Sequence, residues 1–464
     1  MIDLRQPLRI HVVGIGGAGM SAIAEVLVGT GHTVTGSDLN DSAVVKRLIA
    51  RGVDVTVGHD ATNVGDVDLV THSTAIPADN PELVEAASRN IPVLRRADTL
   101  AQITQAWRTI AVAGTHGKTT TSAMLTAALA GAGLDPAYIV GGDLRDLDRG
   151  AAVGSGEFLV VEADESDGTF VRLTSEAIIV TNVAPDHLEH YGGFEGLEQA
   201  FVQFVSQASG PRVLCIDDPG SAELASLTAD FSPLTYGTSP EALWRILDPL
   251  PTPNGVSFTL QGPLGADGEK GELEIRLGQP GMHNARNATA AIAAAISLGA
   301  NPDLVAEALN GFGGVGRRFE PRGEAGGVTL IDDYAHLPTE VEAALAAARS
   351  LNPSRLVAAF QPHRYSRTEQ LWSNFGHSFT EADVLFVTGI YSSGEAPRPG
   401  ISSELIVRVV TDAYPDADVR HVESLDALAD AMLAELQAGD LCITLGAGDL
   451  TNVPDRLFDG LKAR

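Results

Sequence analysis

The sequence predicts an α/β protein, on three observations. Short apolar runs recur along the 464 residues, among them RIHVVGIGG, TIAVAGTHG, FLVVEADES, AIIVTNVAPD, VTLIDDYAH, LVAAFQPHR, VLFVTGIY and LCITLGAGD. They are continuous rather than alternating, which is the pattern of strands buried on both faces of a parallel sheet. Amphipathic segments such as AAIAAAISLGA lie between them, and polar residues collect where the runs end. Open sheets bind ligands beyond the carboxyl ends of their strands, so that is where function is expected.

Composition bounds the function. A hydrophobic content of 44% is ample for packed cores. No apolar run approaches the roughly 18 residues of a membrane span, and the amino terminus lacks the succession of a signal peptide. A cytoplasmic protein without membrane insertion is expected. The formal charge of −29 argues against a nucleic-acid partner, which needs a basic face. Any phosphate site must therefore be built locally, from backbone N–H groups, helix starts, a few cations and divalent metal. Cys215 and Cys442 lie far apart in apolar runs and read as buried thiols.

Two breaks divide the chain, one near LAQITQAWRT (residues 100–109) and one at the glycine-rich NGFGGVGRRF (residues 310–319). Three domains are expected, at residues 1–107, 108–316 and 317–464. Residues 252–277 alternate around a turn containing glycine and aspartate, the mark of an antiparallel excursion in the middle segment.

The first segment carries GIGGAGM, residues 14–20, between the strand IHVV and the helix SAIAEVLVGTG. Glycines permit close backbone approach, and N–H groups at a helix start favour a pyrophosphate. Asp38, ending the run HTVTGSD, falls where an acid could meet a ribose. HSTAIP, residues 72–77, ends a further strand and offers hydroxyl and backbone groups to the same ligand. Alone, the glycine loop also fits an NAD-dependent oxidoreductase.

A second loop, VAGTHGKTTT, opens the middle segment, but only two residues separate Gly114 from Gly117. The common P-loop has four at that place. The strand-loop-helix setting still lets backbone N–H groups converge on phosphate, with Lys118 reaching the outer phosphates and the Thr119 hydroxyl a metal ion. The next strand ends in EADESD, residues 162–167, whose crowded carboxylates repel one another unless cations offset them. Mg²⁺ prefers one or two carboxylates with phosphate oxygens and water, which makes Glu162, nearest the strand, the first candidate ligand. The strand after it ends in TNVAPDHLEHY and adds Asn182, Asp186 and His187 at the same edge.

Taken together, GTHGKTTT, EADESD, NVAPDH, HNARNATAA (residues 283–291), GRRF (316–319), DDYAHLPTE (332–340) and FQPHRYSRT (360–368) resemble the Mur ligases. The resemblance runs from the first strand through GIYSSGEAPRPG to GAGDL (residues 446–450), nearly the whole chain. It implies a Rossmann-like amino-terminal domain, a central P-loop ATPase-type α/β domain and a Rossmann-like carboxyl-terminal domain. That family's ATP loop uses the shortened spacing.

The resemblance also implies roles. Gly14, Ile15, Gly16, Gly17, Gly19, Met20 and Ser21 would cradle the diphosphate of a UDP-sugar, with Asp38, Ser73, Thr74 and Ala75 beside them. Gly114, Thr115, His116, Gly117, Lys118, Thr119 and Thr120 would hold ATP, Asn284 and Asn287 would meet its adenine, and Arg318 and Asp333 would touch the nucleotide. Thr119, Glu162 and His187 would ligate Mg²⁺. Glu165, Ser166, Tyr334, His336, Arg364 and Arg367 would face the acyl donor and the incoming amino acid, and Lys118, His187, His336, Arg364 and Arg367 would carry the chemistry. Many relatives have a second histidine where this chain has Leu337.

The implied substrates are UDP-N-acetylmuramate, L-alanine and ATP, and the implied reaction an amide ligation by way of an acyl phosphate, in a monomer or weak homodimer. EADESDGTF is similar to the alanine-adding branch, whereas the branch recycling a preformed tripeptide would carry tyrosine in place of Ser166. A folate-polyglutamate ligase would lack GIGGAGM. An oxidoreductase leaves the second loop and HNARN unexplained, and a non-catalytic nucleotide switch needs no amino-acid site.

Overall fold

The computed structural model describes residues 3–144, 149–252, 255–265 and 268–464. It contains three sheets. The first has five parallel strands in the order Asp54–Val57, Thr33–Asp38, Arg9–Val13, Leu69–His72 and Val93–Arg95. Chain order reverses beside Arg9–Val13, so the loop leaving that strand opens at a topological switch point, where this architecture places its ligands.

The second sheet has ten strands. Arg108–Ala113 runs near its centre, parallel to Ala177–Val180 on one side and Phe158–Glu162 on the other. Its Ile110, Ala111, Val112 and Ala113 are fully buried, as a strand covered on both faces requires. The helix Lys118–Gly131 follows and packs against Met282–Ser297. The second helix is lined with buried alanines, including Ala288, Ala291 and Ala295, small enough for close approach of two helices.

The expected excursion is present as Trp244–Thr252, Gly255–Pro263 and Lys270–Leu277. Thr259 bonds Glu274 and Gln261 bonds Glu272, a falling register that only antiparallel strands give. The expected turn containing glycine and aspartate falls at residues 265–268, of which 266–267 lie outside the described residues.

The third sheet orders Glu320–Ala325, Val328–Asp333, Asp440–Leu445, Arg355–Phe360, Val384–Val387 and Val419–His421. Its first pair is antiparallel and the rest are parallel. The chain forms two compact units: Met1–Leu250, Ser257–Gly278 and Met282–Gly313 make one, and Pro251–Val256, Gln279–Gly281 and Gly314–Arg464 the other. The first two sheets therefore share a unit, and the glycine-rich stretch at Gly313 and Gly314 is its border. Among the described residues, no helix is long and apolar enough to cross a membrane. Cys215 and Cys442 are both buried free thiols.

Candidate active site

In the first unit, the loop after Arg108–Ala113 is held from outside. Gly114 has φ +130°, and a Cβ there would stand 2.1 Å from the Thr181 hydroxyl, so no other residue fits. Thr181 and Asn182 both donate to the His116 carbonyl, at 2.6 and 2.9 Å, while the His116 N–H donates to Asn182 Oδ1 at 2.8 Å. The Thr115 hydroxyl is fixed between the Ala184 N–H and carbonyl. These clamps set the loop before any ligand binds. The helix then starts at Gly117 with no side chain capping it, which leaves the N–H groups of its first turn, at Lys118, Thr119 and Thr120, for phosphate.

Lys118 donates to the Gly114 carbonyl at 2.6 Å and to both Glu165 oxygens at 3.0 and 2.8 Å. Burial alone would pull its ammonium down, but the carboxylates of Glu165, Asp164 and Glu162 outweigh burial and hold it above its ordinary value. Burial pushes the Glu165 carboxyl the other way, upward. The two-pronged contact between them is that of a charged pair, so we read both groups as ionised. Glu165, expected beside the sugar, is thus turned onto the lysine.

Glu162 accepts from the Thr119 hydroxyl at 3.1 Å and from the Gly141 N–H at 2.8 Å. His187, expected with them, has φ +51° and pairs with its neighbour Asp186 at 3.5 Å. Among the described residues, no three His, Cys, Asp or Glu side chains group closely enough to hold a metal ion. Ser166 bonds Asp164 twice, through its N–H and its hydroxyl. Asn287 reaches the loop, since a Cβ on Gly117 would stand 2.8 Å from its Oδ1. Asn284 is buried one turn earlier on the same helix.

The amino-terminal loop is built differently. The N–H groups of Gly14 and Ile15 both donate to the Ser37 carbonyl, and Gly16 N–H donates to Asp38 Oδ2 at 2.9 Å. Asp38 Oδ1 accepts from Asn40 N–H at 3.0 Å. Asp38 therefore holds the loop itself. Ile15 and Met20 are buried in the core and can offer a ligand only backbone. Gly17 caps the helix Ala18–Gly29 without a side-chain bond, and Gly19 and Ser21 lie in its first turn. Ser73 lies against Gly14, with Thr74 and Ala75 exposed beside it.

In the second unit, Tyr334, His336, His363, Arg364 and Arg367 gather at strand ends. His336 Nδ1 lies 3.0 Å from the Tyr334 carbonyl, and its ring stands edge-on to His363 at 5.5 Å. Arg367 Nη1 donates to His363 Nδ1 at 2.9 Å. Burial pulls His363 down to about 3, and the charges of Arg367 and Arg364 help; burial also lowers His336. Arg364 has φ +69° and caps the helix Tyr365–Leu371.

Arg317 and Arg318 both stack on Tyr334, at 4.7 and 5.0 Å. Arg317, which lies in GRRF but was given no role there, also donates to the Gly446 and Gly448 carbonyls. Asp333 accepts from Phe319 N–H and Ala335 N–H at 2.6 and 2.7 Å. Burial nevertheless lifts it to about 6 against the pull of Arg318. Leu337 is buried, and Glu340 accepts from its N–H and that of His336.

Three family models match in order: "Mur ligase family, catalytic domain" over residues 9–108, "Mur ligase middle domain" over 112–295, and "Mur ligase, glutamate ligase domain" over 317–448. A UDP-N-acetylmuramate–L-alanine ligase of Bradyrhizobium sp. is 46% identical, covering 98% of each chain. One from Solidesulfovibrio magneticus is 46% identical over 96% of each. The crystal structure of the UDP-N-acetylmuramate-alanine ligase of Thermotoga maritima superposes with TM-score 0.81 at 30% identity, covering 98% of this chain and 99% of that one. This chain belongs to the Mur ligase family.

Proposed function

We propose that this protein is an ATP-dependent ligase that joins L-alanine to the lactyl carboxylate of UDP-N-acetylmuramate in the cytoplasm. The alanine-ligase relatives at 46% identity over 96–98% of each chain carry the choice of substrates. The clamped loop at Lys118 supports the chemistry. Amide formation in water needs an activated acid. An oxygen of the lactyl carboxylate attacks the γ-phosphorus of ATP, the bond to the bridging oxygen breaks, and ADP leaves. The alanine amine then attacks the acyl carbon, loses a proton, and phosphate departs.

Such transfers depend on positioning and charge neutralisation. Lys118 exchanges Glu165 for phosphate oxygens, and the helix N–H groups bind the rest of the chain of phosphates. The hydroxyl of Thr119 and the carboxylate of Glu162 are hard oxygen donors already 3.1 Å apart, a set that suits Mg²⁺. When bound, that ion would neutralise phosphate charge. Asn287 would orient the nucleotide, and the first glycine loop would receive the UDP diphosphate. In the second unit, Arg364 and Arg367 supply a fork for the alanine carboxylate, with His363 fixing the latter.

A phosphate-release assay with the nucleotide sugar and alanine, serine, glycine or tripeptide in turn tests this reading. Release that requires both the sugar nucleotide and free alanine is expected. Release with tripeptide but not alanine would make it a recycling ligase, and release needing no amino acid would end the ligase reading.

A further inference from the structure

We propose that Arg96 is the side-chain anchor for the diphosphate of the nucleotide sugar, held in place by Asp167; this rests on the nucleotide-sugar reading above. The glycine loop and the helix after it, GIGGAGMSAIAEVLVG, contain no lysine or arginine. N–H groups alone would face a ligand carrying about two negative charges, in a chain whose own charge is −29. The cation that reaches this helix start comes from another element. A Cβ on Gly19 would stand 3.2 Å from Arg96 Cδ and 3.4 Å from its Nη1, so the guanidinium lies across the glycine. A larger residue there would displace it.

The position of Arg96 is otherwise unfavourable. It opens the helix Arg96–Thr104, at the end where the macrodipole disfavours cations. Its other partner explains the orientation. Nη2 donates to Asp167 Oδ2 at 3.1 Å, and Asp167 is itself fixed by accepting the Thr169 N–H at 3.0 Å. That contact uses one edge of the guanidinium and leaves Nη1 on the Gly19 side, beside the N–H groups of Ala18 and Gly19 at the helix start. The arginine is only a quarter exposed and its partner about two-fifths, so the ion pair serves better as a brace than as a source of stability. Asp167 belongs to EADESD, whose Glu162 and Glu165 meet Thr119 and Lys118. The brace thus ties the diphosphate anchor to the strand end that shapes the ATP loop.

Titration calorimetry with UDP and, separately, with ATP on the full chain tests this. Arg96→Ala should weaken UDP about 10- to 100-fold, the range of a lost charge-assisted contact, and leave ATP within about twofold. Arg96→Lys should recover part of the loss. Asp167→Asn should cost less than Arg96→Ala, and the double variant no more than Arg96→Ala alone. Unchanged UDP affinity in Arg96→Ala would overturn the proposal, as would equal losses for UDP and ATP, which mark a merely structural arginine. A wild-type chain that binds ATP but not UDP would overturn the nucleotide-sugar reading and this anchor with it.

Discussion

Lys118 rests on both oxygens of Glu165, at 3.0 and 2.8 Å, and the carboxylate is 2% exposed. The lysine thus sits in a buried ion pair, with a carboxylate where the proposed function would put phosphate oxygens. Breaking such a pair from one side leaves an uncompensated charge, so stability and catalysis must be read separately. Lys118→Ala should lower turnover on the order of 10³-fold or more and destabilise the first unit by about 3 kcal/mol. Lys118→Ala combined with Glu165→Gln should recover most of the stability and none of the activity. Kinetics and urea unfolding on the same three proteins check this; activity returning with stability would reject Lys118 as the phosphate clamp.

Glu162 bonds both the Thr119 hydroxyl and the Gly141 N–H. Glutamine can keep the second bond while giving up the anionic charge a hard cation requires. Glu162→Gln should therefore raise the Mg²⁺ concentration for half-maximal activity about 10- to 100-fold, with folding little changed. A Mg²⁺ titration of initial rates measures it. An unaltered Mg²⁺ requirement would move the metal elsewhere.

Arg367 donates to His363 Nδ1, and burial keeps that imidazole neutral by pulling it down to about 3. The ring can therefore accept the arginine N–H throughout the working range. Arg367→Ala should raise the alanine KM about 10- to 100-fold, the worth of a charged carboxylate contact, and leave the ATP KM near normal. Lysine should rescue little, since it lacks the planar fork. Steady-state kinetics with alanine varied would show it; an unchanged KM passes the role to Arg364.

Local patterns made the α/β class and the phosphate loop legible, because strand, loop and helix are contiguous there. GTHGKTTT and EADESD were visible as donors and acids, and Thr119 and Glu162 do meet. Which acid faces which group was not visible. Glu165 and Glu162 lie three residues apart on an irregular strand end, where no period dictates direction. Asp38 looked like a ribose partner from its place after a strand, yet its bond to Gly16 N–H depends on how the loop folds back. Thr181 and Asn182 buttress a loop 65 residues away, and Arg317 grips carbonyls more than a hundred residues away. Sequence spacing carries no trace of such pairings. His363 could have been suspected from its place before Arg364 in PHRYSRT, as a donor-rich run needs an acceptor.

Glu82, on the helix Pro81–Ser88 beside the first sheet, makes the same point and supplies a pH test. Its buried carboxylate accepts from the Ser37 hydroxyl at 2.6 Å and the Asn63 amide at 2.6 Å, and lies 3.7 Å from His11 Nε2. Burial would push it up, but His11, Ser37 and Asn63 outweigh burial and hold it at about 2 against an ordinary 4.5. Between those values the unfolded chain binds more protons than the folded one, so stability falls as pH drops. The contribution is whole above pH 4.5 and disappears toward pH 2. Glu82→Gln should therefore lower unfolding free energy by about 1–3 kcal/mol at neutral pH, and the gap to wild type should close through that window. Urea unfolding at a series of pH values, with Glu223→Gln as an exposed control for overall charge, measures it. A gap that stays constant with pH would show that the network needs the shape of Glu82 and not its charge.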